Sequence, residues 1–480
     1  MGLWKAEQSV TYTEKRKRMK SKFTVSKKDE NFREFALNGS LWLLLLQVGL
    51  PLALYQCLGM AFKILDSMMA SHISADSVSA VSYLSQINHM ISAVGGGLAI
   101  GSSLQVSQAY GAGDYKLVKK RVSSLFGICG ILGIILLCLM PFSSVMLRLA
   151  RTPENLIAIG SRYFAIELLG IVISFLNNVY IAIERARGNS RRILCLNFAV
   201  IAVKLGLTAY FVYIMHSDIT MIAVATVVSQ SIMLGAGIYH MTRKDSAFAF
   251  SFKDISFRRE IMGPMLHISF PVMVEKVAFS FGKVVVNFMS SRYGSLTVGA
   301  LGISNNINGF TTSAQNGFQE GCASIISQNL GNGNRKRAIE AFWKVICINV
   351  FIGAVGLTLT MTFLRSISLL FATSEGVVNT EFQEMIIAIN RYELIGGCIP
   401  LGVLSSCMAL LFGLGRTKLT LLINFSRVFV FRIPVLWALQ TFTDLGTVSV
   451  GITMMVSNIL VAVMALTVAL LVIRSENKKM

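Results

Sequence analysis

Charged side chains inside otherwise apolar stretches are the places where this sequence could do chemistry. Asp66 follows Pro51 by fifteen residues, about 22 Å along a helix that rises 1.5 Å per residue. That places it in the later half of a membrane-crossing helix. Inserting a carboxylate costs about 2.5–3.5 kcal/mol at a helix centre, less toward the ends, and such residues usually mark function. Protonation would remove the charge and let the helix repack. Pro51 and the similarly placed Pro271 each leave a carbonyl one turn earlier without its partner and give their helices a place to bend. Lys63, three residues before Asp66 on one helical face, supplies an equally good structural reading as a local ion pair.

Two further stretches are unusually polar. One carries Gln86 and Asn88 with several serines; the other carries Asn305, Asn306, Asn308, Gln315 and Glu320. Side chains this polar should face protein or water and not lipid. We expect Gln86, Asn88, Asn305, Asn306, Asn308 and Gln315 to line a hydrated substrate cavity, with interhelical hydrogen bonding as the bland alternative. Glu275, four residues after Pro271, could draw a cation into that cavity or pair with a neighbouring lysine. The GAGD and GNGN turns at 111–114 and 331–334 lack the lysine and strand context of a phosphate loop, so they should simply end helices. No triad, zinc motif or cysteine pair is present, and we expect no enzyme activity, cofactor or metal.

These residues must be positioned by membrane helices. Of 480 residues, 54% are apolar and only 14% charged, against about 45–50% and 25% in soluble domains. The formal charge of +20 lies in the segments between apolar runs, which speaks for orientation in a lipid bilayer and against nucleic acid. Twelve runs reach the roughly 20 residues a spanning helix needs. Segments that would face one side carry thirty-one Lys and Arg, and those on the other side four. We therefore expect both termini in the cytoplasm. Residues 1–35 lack the short apolar core of a signal peptide, so the first apolar run should be retained.

The two halves of the chain repeat. At a shift of 220 residues Pro51 meets Pro271, Asn88 meets Asn308, Gly97 meets Gly317, Gly101 meets Gly321, and SQAYGAGD meets SQNLGNGN. At a shift of 227, GNSR at 188–191 meets GRTK at 415–418. Six helices per repeat means both halves enter the membrane in the same sense. The expectation is an all-α integral membrane protein of twelve transmembrane helices in two six-helix lobes related by a parallel internal repeat. Its parts are a basic tail at 1–36, lobes at 37–240 and 264–473, an inter-lobe loop at 241–263 and a short terminus at 474–480. The duplication gives one chain both halves of an alternating-access carrier, so a monomer suffices.

The proline-to-aspartate helix, the GAGD and GNGN turns, the GNSRR and GLGRTK loops, and Arg427 seven residues before Pro434 resemble the multidrug and toxic compound extrusion (MATE) family over about 40–472. The resemblance implies a secondary antiporter of a bacterial plasma membrane, exporting small amphipathic, often cationic compounds against inward H+ or Na+, with Asp66 as a coupling residue. One departure matters. Where many members carry N-x-x-x-D on the fifth helix, this chain has Lys204 and Thr208. An ammonium is hostile to Na+, which wants oxygen ligands, so the expectation is coupling to H+ through Asp66, Lys204 and Thr208. Two rivals stand beside it: a flippase for a lipid-linked saccharide, whose cavity should be rich in cations, and a membrane enzyme or assembly factor that transports nothing.

Overall fold

The computed structural model describes residues 26–70, 75–149, 154–242, 247–374 and 377–478. The first lobe holds α2 (Leu41–Ala70), α3 (Ala75–Gly111), α4 (Tyr115–Leu139) continued by α5 (Ser143–Leu149), α6 (Glu154–Ala186), α7 (Ser190–Ala209) and α8 (Ile219–Met241). The second holds α9 (Arg259–Ser290), α10 (Ser295–Gly331), α11 (Arg335–Ala372), α12 (Thr380–Gly413), α13 (Thr417–Phe425) continued through a π-turn into α14 (Ile433–Phe442), and α15 (Val448–Asn477). A two-residue-per-strand hairpin joins α11 to α12. Helices satisfy their own backbone polar groups, which hydrocarbon cannot do for them. Large apolar side chains such as Phe288, Leu370 and Phe351 accordingly point outward. The helices overrun the apolar runs: α10, with 37 residues, is about 55 Å long and extends well past a hydrocarbon core of about 30 Å.

The GAGD and GNGN turns share one end of the bundle, called here the basic end. Gly113 and Gly333 sit at φ +76° and +83°, a conformation only glycine adopts without strain. The residues that follow cap the next helices: Asp114 accepts from the Leu117 N–H at 3.0 Å and Asn334 from that of Arg337 at 3.2 Å. The repeat thus extends to the hydrogen bonds.

It also extends to packing between the lobes. α3 packs on α9 just as α2 packs on α10, and α3 meets α10 on the axis between them. Each seam closes at glycine. A Cβ on Gly97 would lie 2.7 Å from the Met273 Cα, and one on Gly317 would lie 2.4 Å from the Ala53 Cα; Met273 and Ala53 are themselves related by the 220-residue shift. Gly111 against Gln328 and Gly331 against Gln108 repeat the pattern at 2.0 Å from a carbonyl oxygen. Around these contacts one apolar core, drawing on both lobes through Val48, Leu98, Met265, Phe318 and Ile326, fills the basic half. Among the described residues, the far half instead holds separate cores, a larger one in each lobe, around Leu84, Phe164 and Phe175 in the first and around Leu301, Ile389 and Leu436 in the second. The lobes meet at the basic end and have their own interiors at the other.

Part of the expected tail is structured. Residues 27–36 belong to α1 (Lys27–Asn38), which lies across the basic end and touches both lobes. Arg33 Nε donates to the Tyr110 carbonyl at 2.9 Å in the first lobe, while Asn329 Nδ2 and Arg337 Nε in the second donate to the Ala36 carbonyl, each at 3.3 Å. Asp29, 2% exposed, pairs with Arg187 at 2.9 Å, and Arg187 also pairs with the fully buried Glu184 at 2.9 Å. The residue pattern hid this helix because its buried face includes an aspartate.

Two outcomes follow. Gly317→Ala should lower stability by about 1–3 kcal/mol, the usual range for overpacking, while Gly59→Ala, with open space around its Cα, should leave it unchanged; thermal unfolding in detergent measures both. Arg187→Ala strands the buried Asp29, and breaking a buried pair costs about 3–5 kcal/mol. Limited trypsin digestion should then cut within α1 at least about a hundredfold faster, because local opening follows that free energy.

Candidate functional site

Asp66 lies on α2, and its side chain, like that of Gln86, falls outside the described residues. The partners expected for Asp66 are placed. Lys204 on α7 is 7% exposed, and its ammonium sits 4.4 Å from the centre of the Phe62 ring, one helical turn before Asp66. Thr208, one turn further along α7, is fully buried, and its hydroxyl has no hydrogen-bond partner among the described residues. The packing of α7 on α2 sets Lys204 against the stretch of α2 around Phe62. It buries Lys204 inside the lobe, which excludes the snorkelling role open to a lysine near a helix end. The ring face offsets part of the cost of burying the ammonium.

The residues expected to line a cavity divide. Asn305 is exposed and folds back on its own helix, donating to the Leu301 carbonyl at 2.8 Å, and Asn306 is half-buried. Asn88 is 7% exposed and donates to Glu167 at 3.3 Å. Its repeat partner Asn308, 4% exposed, faces Glu393 and accepts from the Cys398 thiol at 3.7 Å. Gln315 corrects the expectation. It has no exposed surface, and its amide donates to the Asn349 carbonyl at 3.1 Å and the Cys398 carbonyl at 2.7 Å. It ties α10 to α11 and α12. Glu275 is likewise held inside the second lobe: Thr420 and Asn424 on α13 each donate to it at 2.7 Å. These neutral donors satisfy a carboxylate in place of a lysine.

Pro51 and Pro271 both lie inside unbroken helices at the seam. Beyond them toward the far end, α3 and α9 part around a cavity of about 470 Å³. Met90, Met273, Phe270, Phe281 and Phe429 line it. Methionine sulfur and aromatic faces adapt to apolar molecules and attract cations. Among the described residues no group of three His, Cys, Asp or Glu side chains could hold a metal ion.

The second lobe holds a charge network that residue order did not reveal. Arg427 and Arg432 both donate to Asn458 Oδ1, each at 2.9 Å. Glu393, 3% exposed, accepts from Ser304 at 2.5 Å and faces both arginines. Its position near the start of a span suggests an interfacial anchor, but the span begins thirteen residues earlier at Thr380, so Glu393 is interior. A second pair crosses between lobes: Arg185 at the end of α6 meets Glu320 of α10 at 2.8 Å, with Gln56 of α2 3.4 Å from the same carboxylate. The signal available for that pair was its departure from the repeat, since Ile100 and Phe412 stand at the matching positions.

The comparisons agree with this architecture. The chain is 24% identical over 355 residues to the "Multidrug export protein MepA" of Staphylococcus haemolyticus, covering 73% of this chain and 78% of that one. It is 20% identical over 430 residues to the "Probable multidrug resistance protein NorM" of Thermotoga maritima, covering 85% and 88%. Among solved structures, a MATE protein in complex with MaL6 superposes with a TM-score of 0.88 at 19% identity, covering 95% of this chain and all of the other. An outward-facing multidrug resistance MATE transporter superposes at 0.87, again at 19% identity, over 95% and 99%. The family model MatE matches residues 51–208 and 271–438, well over half of the chain and one segment in each lobe. The chain belongs to the MATE family of multidrug efflux transporters.

Proposed function

We propose that this protein is a secondary active antiporter of a bacterial plasma membrane that expels small amphipathic organic cations in exchange for inward protons. The observation that carries the reading is the division of the interior: one shared core at the basic end, separate cores and an apolar cleft toward the other. Two rigid lobes hinged in this way can seal one end or the other around a bound molecule, which is alternating access. The excess of Lys and Arg at the sealed end supports a cytoplasmic position for that end. The conformation described is then closed to the cytoplasm and open outward. A single chain is the working unit, because the repeat supplies both halves.

The Met- and Phe-lined cleft between α3 and α9 suits the apolar body of an amphipathic cation. Coupling runs through Asp66, Lys204 and Thr208. Protonating Asp66 removes a charge from the stretch of α2 beside Lys204, and Pro51 lets that helix bend in response. The ammonium of Lys204 disfavours a bound Na+ there. An entering proton gains about 2.3 kcal/mol per 100 mV of membrane potential, but a monovalent cation leaving against that potential costs the same, so a one-for-one exchange is driven by ΔpH, at about a factor of ten in concentration (1.4 kcal/mol) per pH unit.

The test is reconstitution in liposomes with a fluorescent cationic dye, imposing ΔpH and a Na+ gradient separately. Dye movement driven by ΔpH, lost in Asp66→Asn and strongly reduced in Lys204→Ala, is the expected result. Movement driven by Na+ alone would overturn the coupling assignment. Wild-type protein that moves no dye under either gradient would overturn the export of cations.

A further inference from the structure

α10 faces the first lobe with a stripe of polar side chains one turn apart. Glu320 pairs with Arg185 at 2.8 Å, Ser324 Oγ lies 3.0 Å from Ser107 Oγ, and Gln328 Nε2 donates to the Ala186 carbonyl at 3.0 Å. Every one of these bonds crosses the seam. Glu320 is the only charged residue of α10, which runs for 37 residues. Its counterpart in the first repeat is Ile100, and the counterpart of Arg185 is Phe412. Seam packing therefore needs no charge at either place. The two departures from the repeat nonetheless meet each other, and both side chains are well shielded, at 9% and 17% exposed.

We infer that the Arg185–Glu320 pair is the ionic latch of the basic-end gate, made when the lobes close there and broken when they open. The inference rests on the two-lobe carrier reading. A shielded pair is stable only while both members stay in contact, because separating the charges while both remain shielded leaves each without a partner. Opening the seam fully lets water solvate both. The pair thus favours a closed and an open state over everything between, which is the behaviour of a switching element. Gln56, on α2 of the first lobe, holds the carboxylate from the same side as Arg185 and aims it across the seam.

The experiment reads the gate directly, without substrate or gradient, so its outcome is independent of whether dye is transported. Ser324→Cys, whose parent side chain is 3% exposed, is labelled with a membrane-impermeant maleimide added from the basic-end side. Rates are taken above those of the native cysteines. Adding Glu320→Gln should speed labelling at least tenfold. Exchanging the charges, with Arg185→Glu and Glu320→Arg together, should bring the rate back to within about twofold. Cys398 and Cys407, both fully buried in α12, report unfolding: their labelling must stay slow. If Glu320→Gln exposes them, the doubly neutral Arg185→Gln/Glu320→Gln protein serves in its place, with the same tenfold expectation. An unchanged rate at Ser324→Cys, or a charge-exchanged protein that labels as fast as the single variant, would overturn the latch.

Discussion

Backbone-to-backbone contact at glycine is the constraint on which the rest of this structure depends. In lipid there is no hydrophobic drive to bring helices together, so association relies on close packing and on hydrogen bonds across the interface. Gly97 and Gly101 let α9 rest on α3, and Gly317 and Gly321 let α10 rest on α2. The same approach brings Ser102 within 3.0 Å of Ser269 and Ser107 within 3.0 Å of Ser324. A side chain at Gly97, Gly101 or Gly317 would meet backbone of the other lobe and hold the lobes apart at the very end where they share a core, while one at Gly321 would press only on the Val48 side chain at 3.2 Å. The seam is thus tight at these glycines and short of side-chain bulk, and a cavity of about 430 Å³ lies beside it at the basic end, lined by Gln105 and Gln108 of the first lobe and His267 and Ser327 of the second.

The buried charges follow a consistent rule. Where a carboxylate lies within one lobe, the lobe satisfies it: Glu275 through Thr420 and Asn424, Glu393 through Ser304 and the facing arginines, Glu184 through Arg187 and Arg192. These arrangements can ride along unchanged when a lobe rocks. Glu320 differs because its cationic partner belongs to the other lobe. Asp29 on α1 is also answered from the first lobe, by Arg187, while the C-terminal end of the same helix is held by Asn329 and Arg337 of the second. The basic end therefore carries two layers that cross between lobes, one within the bundle and one over it.

Much of the fold was legible in residue order. The repeat at 220 residues located the seam glycines in pairs, the apolar runs located twelve spans, and the glycine turns ended α3 and α10 at Gly111 and Gly331 as expected. What pattern could not supply was which polar face of a helix looks where. Gln315 and Asn305 stand ten residues apart on one polar helix, yet one is enclosed by three helices and the other exposed. Periodicity on a helix polar on several faces does not distinguish them. α1 was hidden for a related reason: a helix whose buried face holds Asp29 reads as a charged tail until its arginine, 158 residues away, is in place. The candidate coupling residues were legible as types, and the fold adds that α7 sets Lys204 and Thr208 against the helix that carries Asp66.

In the proposed cycle two lobes, joined at one end, exchange which end is sealed. Pulsed electron–electron distance measurements on two spin-labelled pairs test it. One pair would be Ala112 and Asn332, on the equivalent basic-end turns and both exposed; the other would be Met215 and Leu445, exposed at the far end of each lobe. Acidification or substrate should lengthen the first distance while shortening the second. Two distances that stay fixed under every condition, or that lengthen together, would contradict it.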